Sequence, residues 1–401
     1  MKPEMKRIYG ITIISAIMVI ATVFTIHYFV HGKGNEKTIK AGFVYVGDVS
    51  TGYTNNFVKV QNAIEKSYAP RVETIAKFNV PEEEVEGALK ELLEEGCELI
   101  FTTSYGYGEK TKEYAEAYPE VQFCQATCDN ANKEPFLSNY HTFMGNIYQG
   151  RYISGVVAGM KLKELLEEER ITKEQAKIGY VGAYPYAEVI SGYTAFFLGI
   201  RSVVPEATMT VKYTNTWEDY HLEKKCAQEL IDEGCVIISQ HSDTIGPAMA
   251  CEETDRSKEV YYVSYNESMR DIAPTTYLTG SKINWEPYMM QAVEAVLSEK
   301  PIEKYVKGNI NGNDVGAGFE NDWVQMLEIN EFVAAKGTQE RVNELLGEFK
   351  RDKIQVFQGE YIGVNPEDAS DTIDLRQGYP ENENSSAPTF HYILKDVITI
   401  E

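Results

Sequence analysis

The chain reads as an α/β protein of two similar lobes with mostly parallel sheets, and three observations carry that reading. One stretch, Ala88 to Ser104, is echoed by a second, Ala227 to Ser242. Each is an amphipathic helix with apolar residues three and four apart, then a glycine (Gly96, Gly234), then a short apolar run that turns polar. A glycine there can end the helix in the left-handed conformation, so one helix feeding one buried strand is used twice. The second observation is that strands and helices alternate in two blocks, the pattern of βαβ units and parallel sheets. The third is length, since 401 residues suit two or three domains rather than one. Ligands of open α/β sheets sit beyond the carboxyl ends of the strands, so residues 102–108 and 240–246 are expected as binding loops facing one cleft.

The elements follow in order. Residues 8–30 are apolar and almost free of charge behind Lys2, Lys6 and Arg7. About 20 such residues are enough to cross a bilayer. The run continues through His27, Tyr28 and Phe29 without a small-x-small site, which predicts an uncleaved transmembrane helix, with residues 1–7 cytoplasmic and the body outside. A cleaved signal is the alternative, and Lys33, Lys37 and Lys40 put positive charge on the other flank as well. After a linker at 31–38, Ile39 to Val46 has strand composition, Gly47 to Asn56 forms a polar glycine loop, and Phe57 to Tyr68 has helical periodicity. A helix starts after Pro81, where three glutamates suit the positive end of its dipole. Val121 to Ala126 and Tyr140 to Met144 read as strands, and Gly150 to Leu166 as a long helix. Ser154, Gly155, Ala158 and Gly159 near its start would let another backbone approach closely.

Lys177 to Val181 restarts the alternation. Gly192 to Val203 reads as helix, Thr208 to Tyr213 as strand, Tyr220 to Glu233 as helix, and Val260 to Val263 and Thr276 to Gly280 as strands. From about Ile302 the pattern is mixed, and Pro380 to Pro388 reads as a surface loop. The expected boundaries are 39–147 for the first lobe, with 264–312 returning to it, and 148–263 for the second, with part of 313–401 returning there.

The formal net charge of −23 argues against nucleic acid, because neutralising phosphates needs clustered Lys and Arg. Of six cysteines, Cys97 and Cys235 open predicted buried strands and read as small apolar residues rather than disulfide partners. No cysteine precedes Cys97, so a lipidated N-terminal cysteine is not expected. There is no Cys-x-x-Cys and no His pair at ligand spacing, so neither a metal nor another cofactor is expected. Gly106 to Thr111 lacks phosphate-loop spacing, and no nucleophile elbow occurs, which argues against an enzyme.

The loop residues resemble a known family. Tyr45 to Asp48, Gly52 to Thr54, Phe101 to Tyr107, Tyr148 to Gly155, Pro185 to Ile190, Asn215 to Trp217, Gln240 to Asp243 and Leu278–Thr279 with Asn284–Trp285 come in the order seen in the basic membrane protein family. Those substrate-binding proteins include nucleoside-binding lipoproteins similar to the purine nucleoside receptor A. The resemblance spans roughly residues 40 to 365. It implies a type I periplasmic-binding-protein fold of two Rossmann-like lobes joined by three crossovers, delivering a purine base or nucleoside, adenine-like in the subgroup closest to these motifs, to the permease and ATPase subunits of an ABC importer. The chain departs from the family at Tyr53, usually Trp, and at Asn266, usually an acid. An amide both donates and accepts where a carboxylate only accepts.

A purine needs aromatic walls and a few aimed polar groups. Tyr53, Tyr105, Tyr107, Tyr186, Trp217 and Trp285 fall in predicted loops, with Tyr53 expected to stack and Tyr186 to face it from the other lobe. For the edges, Asp243 leads, followed by Asn266 and Ser104, with Thr54 and Glu188 completing the set. Each has a structural alternative: rings pack cores, Asp243 and Ser104 can cap helices, and Glu188 can serve the hinge. Asp48 is as readily a brace for its loop, and His241 is expected as a hydrogen-bonded structural residue. A membrane-anchored sensor passing its closed state to a partner protein is the rival to transport, and an enzyme acting on nucleosides is the weaker one.

Overall fold

The computed structural model describes residues 37–401, so the apolar run 8–30 and its anchor lie outside the described residues. Among the described residues no helix is long and apolar enough to cross a membrane. The first block runs β1 (Ile39–Val44), α1 (Gly52–Tyr68), β2 (Val72–Lys77), α2 (Val85–Glu94), β3 (Leu99–Thr102), α3 (Gly108–Ala117), β4 (Gln122–Ala126) and β5 (Tyr140–Gly145). The second runs α4 (Tyr148–Glu167), β6 (Lys177–Gly182), α5 (Ala187–Arg201), β7 (Thr208–Tyr213), α6 (Tyr220–Asp232), β8 (Ile237–His241), α7 (Gly246–Glu253), β9 (Tyr261–Tyr265) and β10 (Tyr277–Ile283). There follow α8 (Glu286–Leu297), β11 (Asn309–Asn311), β12 (Asp314–Ala317), β13 (Val324–Met326) and α9 (Thr338–Phe349). The chain closes with β14 (Ile362–Val364), β15 (Thr372–Asp374), β16 (Ile393–Leu394) and β17 (Ile398–Ile400).

Two seven-stranded sheets result, in the orders β11-β12-β5-β4-β3-β1-β2 and β13-β10-β9-β8-β6-β7-β17. Strands β1 to β5 pair in parallel in the first, and β6 to β10 in the second. The chain passes between the sheets after β5, after β10 and after β12. These passages correct the expected boundaries. Residues 264–283 stay in the second lobe, because β10 pairs with β9 in register Thr279↔Val263. Residues 314–317, which the expected bounds left open, lie in the first, because β12 pairs with β5 in register Asp314↔Thr142. An apolar strand announces itself in sequence but not the sheet it joins.

The echoed units have one geometry. Gly96 and Gly234 adopt φ of 81° and 89°. In each, the glycine N–H donates to the carbonyl three residues back and the following cysteine N–H to the carbonyl five back, the Schellman closure that consumes the carbonyls a helix end leaves open. Cys97 and Cys235 precede their strands by two residues, and all six cysteines are free and buried.

Two local differences matter. The first helix begins at Gly52, not Phe57, which moves Tyr53 and Thr54 from a loop into its first turn. Strand β2 was not anticipated, because only Val72 of its six residues is fully buried and the sequence carries no apolar run. The segment 380–388 is also more than a surface loop: Glu381, Asn382, Ser386 and Ala387 are buried.

Candidate functional site

The carboxyl ends of the strands of both sheets meet around one cavity. From the first lobe come Val46 after β1, Tyr53 from the first turn of α1, Ser104 and Tyr105 after β3, and Thr127 after β4. From the second come Glu188 in the first turn of α5, Trp217 after β7, His241 at the end of β8, Asp243 beyond it, and Tyr265 at the end of β9. The space they enclose is about 370 Å³ with its mouth.

Several contacts hold the walls in place. The Tyr53 hydroxyl donates to the Thr103 carbonyl, and its ring stands edge-on to Phe57 and to Trp285, with centroids 5.2 and 6.3 Å away. Trp285 in turn stacks on Phe57 at 4.4 Å, so the Tyr53 ring rests on a fixed aromatic floor. The Ser104 hydroxyl donates to Glu82 at 2.5 Å. Across the cavity, Glu188 lies near the amino terminus of α5, where the helix dipole favours a negative charge.

The lobes touch directly at the rim. The Tyr105 and Tyr186 rings meet at 5.7 Å, the Asn56 side chain donates to the Asn266 carbonyl at 2.9 Å, and the Asn55 side chain donates to Glu267 at 3.1 Å. Gly52 permits the approach, since a Cβ there would lie 2.8 Å from that of Glu267. The lobes are therefore closed on the cavity.

The charge is one-sided. Asp243 has its pKa raised well above the ordinary carboxylate value, first by burial and then by Glu223, Glu218 and Glu188 nearby. His241 is pushed down, first by burial; Glu188 at 3.4 Å pulls the other way, and Arg151 adds to the depression. Arg151 is fully buried, its guanidinium 3.6 Å from the centroid of the Tyr265 ring, on the side of that ring's π-electrons. The indole N–H of Trp217, the Tyr265 hydroxyl and the His241 Nδ1 have no hydrogen-bond partner among the described residues, while the His241 Nε2 faces Glu188. Buried polar groups are normally paired, so these are groups a ligand can satisfy. The arrangement can stack a flat ring, accept from its donors at two carboxylates, and donate to its acceptors. Among the described residues no group of three or more His, Cys, Asp or Glu could hold a metal ion.

Of the residues singled out in the sequence, Tyr53, Ser104, Tyr105, Glu188, Trp217 and Asp243 line this cavity. Tyr186 does not face Tyr53; it stacks on Tyr184 at 5.0 Å and closes the rim against Tyr105. Four others lie off the cavity. Thr54 is buried beside Gly47, and the Tyr107 hydroxyl is spent on the Val80 carbonyl. Trp285 is buried beneath Tyr53, and Asn266 offers its backbone carbonyl to the interlobe clasp, its buried side-chain amide having no hydrogen-bond partner among the described residues. Asp48 braces its loop by accepting from the Ser50 N–H at 2.8 Å. Sequence reasoning missed Val46, Thr127 and Tyr265 and set His241 aside; extending the ends of β4 and β9 would have reached Thr127 and Tyr265.

Two parallel-sheet lobes, three passages between them and one cavity at the strand ends are a fold of the periplasmic-binding type. Solved structures agree on the fold: an ABC transporter solute-binding protein from Aeropyrum pernix matches with a TM-score of 0.62 at 14% identity, covering 83% of this chain and 95% of that one. One from Conexibacter woesei matches with a TM-score of 0.59 at 15% identity, covering 79% and 98%. The chain belongs to the Bmp family of PnrA-like ABC transporter substrate-binding proteins, whose model matches residues 38–346. Among relatives, a purine-binding protein of Brucella abortus is 32% identical over 70% of this chain and 75% of its own length. A Haloferax volcanii protein named for glucose binding is 29% identical over 66% of this chain and 63% of its own.

Proposed function

We propose that the protein captures a purine base, adenine-like rather than oxo-substituted, between its closing lobes and presents it to the permease and ATPase subunits of an ABC importer. The observation that carries this reading is that an aromatic wall from one lobe and two carboxylates from the other line a single cavity. Adenine offers an exocyclic amine and a ring N–H, donors that an ionised Asp243 and Glu188 can accept. A carbonyl in the amine's place would set lone pair against lone pair. Tyr53 and Trp217 supply the faces, and the Trp217 indole N–H and the Tyr265 hydroxyl suit ring nitrogens. Contacts to both lobes favour the closed state, which is the form a permease would receive. The 32%-identical relative named for purine binding supports the ligand class. The family description supports the importer. Residues 8–30 would hold the body at the extracytoplasmic face of the membrane, with residues 1–7 inside.

Calorimetric titration and thermal melting with adenine, guanine, hypoxanthine, adenosine and glucose test the ligand. Adenine should raise the melting temperature most, since a ligand that binds only the folded state stabilises it by mass action. A rise with glucose and none with any purine would contradict the reading.

A further inference from the structure

The matched family region ends at residue 346, and the chain continues for a further stretch that returns to the cleft. Within it, residues 381–391 are tied to both lobes by buried carboxylates. On the second-lobe side, Glu381 accepts from the hydroxyl of Ser191 on α5 at 2.8 Å. The same carboxylate accepts from the Thr389 N–H at 2.7 Å and the Phe390 N–H at 3.1 Å, which fixes the shape of the segment. On the first-lobe side, Asp314 at the start of β12 accepts from the Ser386 N–H at 2.6 Å and its hydroxyl at 2.5 Å. The Asn311 side chain adds a bond to the Asn384 carbonyl at 2.6 Å.

The segment also walls a second space. Some 1250 Å³ including its opening lies outside the ligand cavity and shares Tyr105, Thr127 and Glu188 with it, while Pro388, Thr389 and His391 form its far side. A solute leaving the cavity past Tyr105 and Glu188 would enter this compartment. We propose that residues 381–391 are a strap that restrains lobe opening and roofs the outer compartment, so that solute reaches the cavity beneath it. The restraint follows from the anchors: lobes hinged at three passages cannot separate fully while Ser191 and Asp314 remain bonded to one short segment. Breaking an anchor takes the Ser191 hydroxyl from Glu381, or the Ser386 N–H and hydroxyl from Asp314, and leaves each buried carboxylate short of a bond, which opposes opening. The proposal rests on the reading of the interlobe cavity as the ligand site.

Two readouts test it separately. Spin labels on Glu83→Cys and Lys225→Cys, one on each lobe, report lobe separation without ligand in the full chain. Glu381→Gln, or Ser191→Ala if that variant does not fold, should broaden the ligand-free distance distribution toward longer separations. Stopped-flow mixing with adenine should then give association and dissociation rates raised at least fivefold together. Pro388→Trp, which keeps the residues of both anchors and narrows the compartment at its far side, should slow association at least fivefold. Unchanged distances in whichever of these anchor variants folds would overturn the restraint, and an unchanged association rate in Pro388→Trp would overturn the passage. If the wild-type protein binds no purine, the ligand assignment fails while the distances still decide the strap.

Discussion

The residue after β4 and the residue after β9 share an unusual backbone: Thr127 has φ of 67° and Asn266 has 64°. Two residues past β2 and two past β7, Asn79 and Asn215 have φ of 52° and 56°, and Gly96 matches Gly234 after the following helices. Left-handed backbone is costly for residues other than glycine, so three matched pairs mark one frame built twice. What the frame presents differs. The first lobe gives the cavity rings, hydroxyls and an aliphatic group, Val46, Tyr53, Ser104, Tyr105 and Thr127, and no carboxylate. The second gives Glu188, Asp243 and His241 together with Trp217 and Tyr265. Under the proposed function, one lobe would cover the ligand and the other would read its hydrogen bonds.

The helix pairs beneath the site differ in the same way. In the first lobe α1 and α8 meet through large rings, Phe57 stacked on Trp285. In the second, α4 and α5 meet backbone to backbone: a Cβ on Gly155 would lie 1.9 Å from the Phe196 carbonyl oxygen, and one on Gly199 2.1 Å from that of Tyr152. Side-chain packing supports the face that stacks, whereas a rigid glycine contact supports the face that carries charge.

Four substitutions and a pH measurement press on this contrast. Trp285→Ala should have the largest effect, about 4 kcal/mol of unfolding free energy in denaturant titration, because a buried ring is lost and a cavity left. It should also weaken adenine binding by removing the floor under Tyr53; undiminished affinity would separate stacking from that floor. Asp243→Ala should cost about 2 to 3 kcal/mol of binding, roughly a hundredfold in Kd by calorimetry, the scale of a hydrogen bond to a charged group. Gly199→Ala should lower stability by about 2 kcal/mol through forced backbone separation, with a Tm shift larger than that of Gly87→Ala, where a Cβ meets nothing. Tyr53→Ala should weaken binding by about 1 to 2 kcal/mol, roughly tenfold, the scale of base–aromatic stacking. A larger loss at Tyr53 than at Asp243 would reverse the division of labour.

The smallest signal is a proton. Burial and neighbouring carboxylates raise the pKa of Asp243 in the free fold. Its contribution to stability is therefore complete below its ordinary value of 3.8 and is lost as pH rises through the folded value. A ligand that donates to the ionised carboxylate reverses this preference, so binding should release protons and tighten as pH rises toward neutrality. Calorimetry in buffers of different protonation enthalpy measures the release, and Asp243→Asn should abolish it.

Much of the frame was legible in the sequence because helix ends and buried strands leave local marks, as the two Glu-Gly-Cys turns at Gly96 and Gly234 do. Asp243, Glu188 and Trp217 were legible because they follow such strands. The lobe boundaries were not, since pairing between β9 and β10 is a contact that apolar composition alone does not encode. Nor were Thr54, Tyr107, Asn266 and Trp285 separable from the cavity residues by position. Loop rings and backbone carbonyls serve floors and clasps as readily as ligands, and only contacts with Phe57, Val80 or Asn56 distinguish them. The strap at 381–391 was hidden for the same reason, as its buried carboxylate bonds span from Ser191 and Asp314 to the far end of the chain.

A crystal structure of the protein grown with adenine tests the central claim most directly. The expected result is a purine ring lying against Tyr53, its exocyclic amine within hydrogen-bond reach of Asp243 or Glu188. A ring found outside that cavity, or one inside it with its amine turned to the first lobe and both carboxylates uncontacted, would contradict it.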